Sequence, residues 1–302
     1  MGKVQIKGVI PPMITPFKEN GDLDYDGHVK NMLKWNKSNL AGYLVLGSNS
    51  ETVYLTEEEK LKLVELTVKY AKEGRLILVG TGMESTRETI SLTNKAAKLG
   101  AHAALILTPF YYGSNMNDKA IIKFFTEVAD NTEIPILIYN VTKFTHFNIS
   151  ANAVKELCKH PNIIGMKDSN GDIAQLVKFK SVITDDFNLL VGTASAWYPA
   201  LTLGIKASIM ALANCAPDEC IEVQKYYDDG EQDKAKETYI RMFPVNAAVT
   251  ATYGVAGLKY ACDLTGYEGG YVRGPLLPLN EEDKKKVSGI LCESQLMHCQ
   301  KI

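Results

Sequence analysis

The sequence predicts a (β/α)8 barrel followed by a C-terminal helical extension. Three observations carry that expectation: eight short apolar runs, amphipathic segments alternating with them, and a length of 302 residues that one large barrel accommodates. The runs occupy residues 9–14, 43–46, 76–79, 103–107, 136–139, 163–166, 189–191 and 208–212. Most are apolar throughout, as strands covered on both faces are. A doubly wound open sheet is the structural alternative.

The segments between the runs read as helices. Thr56 followed by Glu57, Glu58 and Glu59 forms a capping-box pattern, with Leu61, Val64, Val68 and Ala71 at helical spacing behind it. Another helix starts near Asn117 and Asp118 and carries Ile121, Phe124, Phe125 and Val128 on one face. Beyond the eighth run, helical patterns cover residues 218–228, 231–242, 244–251 and 281–296. The chain therefore divides into a barrel at 1–230 and a helical extension at 231–302, packed together as one structural unit. No repeat or Pro/Ser-rich linker interrupts it.

Thirty-three basic and 35 acidic side chains leave a net charge of −2, which gives no footprint for nucleic acid or an anionic membrane. Residues 1–7 lack the apolar run of a secretion signal, and no stretch nears ~18 uninterrupted apolar residues, so a cytoplasmic protein is expected. Cys158, Cys215, Cys220, Cys262, Cys292 and Cys299 show no Cys-x-x-Cys spacing and are expected as reduced thiols. The five histidines form no ligand-spaced pair. Neither a metal nor a cofactor is expected, and a small molecule is the expected partner.

The most informative residue is Lys167, directly after the apolar run 163–166. Burial disfavours an ammonium, and a barrel presents its strand ends at the active-site face. Lys167 is thus a candidate amine nucleophile that forms an iminium with a carbonyl. Position alone favours a plainer reading, in which the lysine emerges to solvent or pairs with Asp168.

Tyr139 ends the run 136–139 and would point from the same face, where a phenol can shuttle protons. The alternative is a core tyrosine with a backbone partner. Ser48 and Asn49 lie in a turn after the second run, where side chains and backbone N–H groups could bind a carboxylate. An ordinary polar turn fits that local pattern as well. Gly80-Thr81-Gly82 lacks the third glycine of a dinucleotide fingerprint, since Ser85 stands in its place. The stretch from Thr108 to Gly113 reads as an aromatic loop after the fourth strand.

Taken together, Gly47-Ser48-Asn49-x-Glu51, Gly80-Thr81-Gly82, Thr108-Pro109-x-Tyr111-Tyr112, Tyr139-Asn140-Val141, Gly165-x-Lys167-Asp168 and Val191-Gly192-Thr193 fall in one order. In that order the chain resembles the dihydrodipicolinate synthase and N-acetylneuraminate lyase family, over nearly its full length. The resemblance implies a class I lyase that binds pyruvate or a pyruvate-derived 2-oxo acid as a Schiff base on Lys167. It implies proton-relay hydroxyls at Ser48, Tyr139 and Tyr112, the last lent by a neighbouring subunit across a dimer interface, in a homotetramer built from two such dimers. Ser48 and Asn49 would hold the substrate carboxylate, and Phe144, Thr193 and Ile209 would border the variable tail.

Two departures bear on the substrate. Members making dihydrodipicolinate carry an arginine shortly after Tyr-Asn-Val-Pro, whereas this chain reads Tyr139-Asn140-Val141-Thr142-Lys143-Phe144 and aligns Phe144 there. An aromatic ring does not replace a bidentate guanidinium, and on an extended segment Lys143 would point elsewhere. Ser50 stands where relatives have glycine and is expected to crowd or polarise the turn. The expected reaction is cleavage of a 4-hydroxy-2-oxo acid, either 4-hydroxy-2-oxoglutarate or a 2-keto-3-deoxy sugar acid, to pyruvate and an aldehyde. Its alternatives are 4-hydroxy-tetrahydrodipicolinate synthesis from pyruvate and aspartate semialdehyde, N-acetylneuraminate cleavage or sugar-acid dehydration, and a non-catalytic 2-oxo-acid-binding relative.

Overall fold

A computed structural model describes residues 4–298 of the chain. Eight parallel strands form one sheet: β1 Gly8–Ile10, β2 Gly42–Val45, β3 Leu76–Gly80, β4 Ala103–Leu107, β5 Ile136–Asn140, β6 Ile163–Asp168, β7 Asn188–Val191 and β8 Ala207–Ile209. β1 pairs with β8. Between β1 and β2 the barrel is closed by the backbone bonds Ala41 N to Val9 O, Leu44 N to Pro11 O and Met13 N to Leu44 O, at 2.8–3.0 Å. The expected (β/α)8 barrel is the observed fold.

The sequence runs overestimate two strands. β1 stops at Ile10 because Pro11 and Pro12 have no N–H to extend a ladder, and only an isolated bridge from Pro12 to Leu44 follows. β8 stops at Ile209, and Ala211–Asn214 coil into a 3-10 turn. Inside the barrel, Ile10, Leu44, Leu78, Leu105, Leu137, Tyr139, Leu190 and Ile209 form one apolar cluster. A larger cluster fills the layer between strands and helices. These two layers explain why the runs read as continuously apolar.

The capping box is present at Thr56, whose side chain accepts from Glu59 N while Glu59 accepts from Thr56 N. Asn117 likewise caps Asp118–Asp130. At the C-terminal end, Pro217–Asp228 matches its pattern, but residues 231–242 and 244–251 are not separate helices. One helix runs Gln232–Ala247 straight through Pro244, then widens into the π-helical turn Ala248–Thr252. A further helix, Gly254–Leu264, escaped notice because Gly254 and Gly257 depress its helix propensity. The final helix is Glu281–Glu293.

Cys158, Cys215, Cys220 and Cys262 are buried. Cys292 is disulfide-bonded, which corrects the expectation of reduced thiols throughout. It is only half-buried near the end of the last helix, outside the core that seals the other four. Cys299 lies outside the described residues, as do residues 1–3 of the N-terminal segment expected to lack a secretion signal. No helix among the described residues is long and apolar enough to cross a membrane.

β6 can lie against β7 because Gly165 has no side chain: a Cβ there would sit 2.5 Å from Asn188 O and 2.8 Å from Asn188 Cβ. Gly165→Ala should therefore destabilise the barrel by about 1–3 kcal/mol. Urea denaturation checks this, and an unchanged midpoint would contradict it.

Candidate active site

Lys167 sits one residue before the C-terminal end of β6, opposite Tyr139 in the β5–β6 ladder. Side chains in register on neighbouring strands share a face, so both project inward. Lys167 is 4% exposed and its ammonium lies 4.2 Å from the centre of the Tyr139 ring. The pleat sends Asp168 to the other face. There its carboxylate accepts from Asn140 Nδ2 at 2.7 Å and Gln175 Nε2 at 2.9 Å. Neither plain reading of Lys167, exit to solvent or pairing with Asp168, describes its place.

Burial pushes the Tyr139 phenol up, but the Lys167 charge and hydrogen bonding with Ser48, Ser169 and Lys167 outweigh it. The phenol is held below its ordinary value. Ser169 was not singled out from the sequence, although period-two alternation from Lys167 puts it on the same face. Its buried Oγ has no partner of regular hydrogen-bond geometry, which leaves it available to that phenol. Gly192 makes room for it, since a Cβ there would fall 1.9 Å from Ser169 Oγ.

The Ser48–Asn49 turn is a 3-10 helix, Ser48–Ser50, entered through Leu46 at φ 61° and left through Glu51 at φ 54°. Ser48 and Asn49 are partly exposed while their neighbours Gly47 and Ser50 are buried. Ser50 does not crowd the turn as expected. Its hydroxyl donates to Met13 O at 2.6 Å and so faces the β1 loop. Glu51 is fixed from outside the barrel: its carboxylate meets Lys259 Nζ at 2.5 Å and accepts from Arg273 N at 2.8 Å. Sequence reading gave Glu51 no role and passed over Lys259, because nothing local links positions 208 residues apart.

Tyr112 lies in the loop after β4, 68% exposed, with its ring centre 5.1 Å from that of Tyr111 in an edge-to-face arrangement. The carboxylate of Glu84 accepts from Phe110 N and Tyr111 N and holds this loop's backbone. The structure thus brings together Lys167, Tyr139 and Ser48 and leaves Tyr112 facing outward from its own chain.

The segment after β5 is not extended. Thr142–Thr145 make one helical turn, with Thr145 N donating to Val141 O and His146 N to Thr142 O. Thr142, standing where relatives carry proline, supplies an N–H and a hydroxyl that both donate to Asn170 Oδ1. Lys143 and Phe144 consequently stand side by side, the ammonium 5.7 Å from the ring centre and donating to Thr250 O at 2.9 Å. Phe144 is 46% exposed. Thr193 follows β7, and its hydroxyl lies 3.0 Å from Ser195 Oγ. Ile209 has no exposed surface and packs in the same interior cluster as Tyr139, which puts it under the site rather than at its rim.

The model of the family described as "Dihydrodipicolinate synthetase family" matches residues 5–294. Similar proteins include the 4-hydroxy-tetrahydrodipicolinate synthase of Methanothrix thermoacetophila, 32% identical over 94% of this chain and 96% of its own. That of Archaeoglobus fulgidus is 33% identical over 96% and 99%. Among solved structures, YagE of E. coli K12, a prophage protein of the dihydrodipicolinic acid synthase family in complex with pyruvate, is 28% identical. It superposes with a TM-score of 0.92 over 97% of this chain and all of its own. Dihydrodipicolinate synthase from Aquifex aeolicus is 28% identical, with a TM-score of 0.90 over 96% and 98%.

The depressed Tyr139 phenol is measurable. The ultraviolet difference titration of the chain against Tyr139→Phe should show one phenol ionising below the ordinary value of about 10. Ser48→Ala should move that step upward. A step at or above the ordinary value would contradict the geometry.

Proposed function

The chain belongs to the dihydrodipicolinate synthetase family, an enzyme family of pyruvate-dependent Schiff-base lyases and aldolases, and from that premise we propose that it cleaves a 4-hydroxy-2-oxo acid to pyruvate and an aldehyde. The observation that carries the chemistry is the burial of Lys167 against Tyr139 at the C-terminal end of β6. An amine at a strand end beside a phenol that can exchange protons is placed to attack a carbonyl.

In the proposed reaction Lys167 Nζ adds to C2 of the 2-oxo acid while Ser48 and Asn49 hold the C1 carboxylate. Tyr139 delivers the proton with which the carbinolamine oxygen departs as water. The resulting phenolate takes the proton of the C4 hydroxyl. The C3–C4 electron pair flows to the iminium nitrogen, giving an aldehyde and an enamine. Protonation at C3 and addition of water at C2 then return pyruvate and the free lysine. Tyr112 from a partner subunit completes the relay with Ser48 and Tyr139, within a homotetramer made of two dimers.

Phe144 bears on the direction of the chemistry. None of the four arginines, Arg75, Arg87, Arg241 and Arg273, lies in the loop that carries Phe144. The Phe144 ring suits the neutral tail of a 2-keto-3-deoxy sugar acid, and the adjacent Lys143 ammonium offers a point charge to the second carboxylate of 4-hydroxy-2-oxoglutarate. A bidentate clamp for an amino-acid semialdehyde is missing from that segment. The second reading, condensation of pyruvate with aspartate semialdehyde, is favoured by the names of relatives about a third identical to this chain.

Coupled assay of pyruvate release from 4-hydroxy-2-oxoglutarate and 2-keto-3-deoxy sugar acids, run beside condensation with aspartate semialdehyde, separates the two. Cleavage should exceed condensation, and Phe144→Arg should weaken cleavage by about tenfold or more by recasting the tail contacts. Faster condensation than cleavage in the unaltered enzyme would overturn the proposal.

A further inference from the structure

The C-terminal extension reaches the catalytic face through one buried ion pair. Lys259, in the helix Gly254–Leu264, is 1% exposed, and its ammonium makes three contacts: Glu51 Oε1 at 2.5 Å, Tyr271 O at 2.5 Å and the Phe17 ring at 4.4 Å from its centre. Glu51 is also buried, and its second oxygen accepts from Arg273 N. The Arg273 side chain continues the clamp, gripping Glu59 through two bonds of 2.7 Å and donating to Tyr54 O and Gly21 O. The Phe17 ring lies between the two cations, with the Arg273 guanidinium 4.3 Å from its centre.

Glu51 is the residue that ends the Ser48–Ser50 turn. Its backbone N–H donates to Ser48 O and its carbonyl accepts from Tyr54 N, while φ of 54° holds it in the left-handed region that is strained for a non-glycine residue. Such a backbone persists when the surroundings over-determine it. The side chain supplies that constraint, because moving Glu51 would leave both its carboxylate and the Lys259 ammonium buried without a partner.

We propose that Lys259 is a positioning residue: through Glu51 it sets the Ser48–Asn49 turn in the geometry that receives the substrate's carboxylate and the Tyr139 proton. The inference rests on the reading of that turn given above and extends it, since it makes the C-terminal extension part of the site's geometry. The charged and titratable groups facing Lys259 are Glu51 from the β2 loop, Cys262 and Asp263 from its own helix, and Arg273 beyond the Phe17 ring. Burial, opposed by Glu51, takes the Lys259 ammonium down to about 8, so the pair loses its positive partner as pH rises through that value.

Glu51→Gln tests this while keeping an acceptor for Arg273 N. Expected is a folded protein whose KM for the 2-oxo acid rises about tenfold because a misplaced turn weakens carboxylate binding, with a smaller fall in kcat as Ser48 is displaced from the Tyr139 relay. Hydrogen exchange should quicken at residues 46–54 and stay unchanged in Thr86–Lys98. In the unaltered enzyme KM should climb above about pH 8, and in Glu51→Gln that climb should vanish. A folded Glu51→Gln with KM and exchange at 46–54 unchanged overturns the proposal.

Should Glu51→Gln not fold, the double variant Glu51→Gln/Lys259→Met leaves no buried charge and is read by the same criteria. Failure of both to fold assigns the pair to barrel stability alone and overturns the positioning role. An enzyme that cleaves no 2-oxo acid would defeat the function proposed above, yet the exchange measurement would still decide this inference.

Discussion

A lysine ammonium held inside the barrel mouth against a tyrosine ring is the constraint on which the rest of the site depends. Such a charge is expensive in a low-dielectric interior. What offsets it is the electron-rich Tyr139 face at 4.2 Å and a phenol whose own anion is favoured by Lys167, Ser48 and Ser169. The Lys167 charge favours the Tyr139 phenolate. Tyr139 is a better acid beside Lys167 than alone, and a proton can pass between amine, phenol and hydroxyl without leaving the cluster.

The barrel supplies the registry. Lys167 and Tyr139 face each other because β5 and β6 pair in parallel with those residues opposite. On the outer face of the same strands, Asp168 and Asn140 face each other and join Asn148, Asn170 and Gln175 in a hydrogen-bonded network. Burial pushes the Asp168 carboxyl up, opposed by the Asn140 and Gln175 bonds. One residue pair thus faces the barrel interior while the next fastens the loops above it. That network also anchors the helical turn bearing Phe144, through Thr142 and Asn170.

Much of this was legible in the sequence because it is local. Apolar runs, the Thr56 capping box and the position of Lys167 after a strand follow from period and from neighbours. Where local pattern misled, a backbone detail was responsible: Pro11 and Pro12 ended β1 early, Thr142 let a supposed extended segment coil, and Gly254 and Gly257 hid a helix. Lys259 and Arg273 were illegible for another reason. Their partners, Glu51 and Glu59, come from the opposite end of the chain, and nothing in either stretch specifies the other. Ser169 was within reach, since alternation from Lys167 places it.

Lys167, Tyr139, Ser48 and Ser169 are drawn from three strand ends, whereas Lys143 and Phe144 stand on the helical turn after β5 and Thr193 on the loop after β7. The central claim concerns the first set and is tested most directly by borohydride reduction in the presence of pyruvate, followed by peptide mass mapping. The account predicts one reduced pyruvyl adduct, on Lys167, and none on the other buried lysines, Lys60 and Lys259. An adduct elsewhere, or no adduct on Lys167 in folded protein, would contradict it.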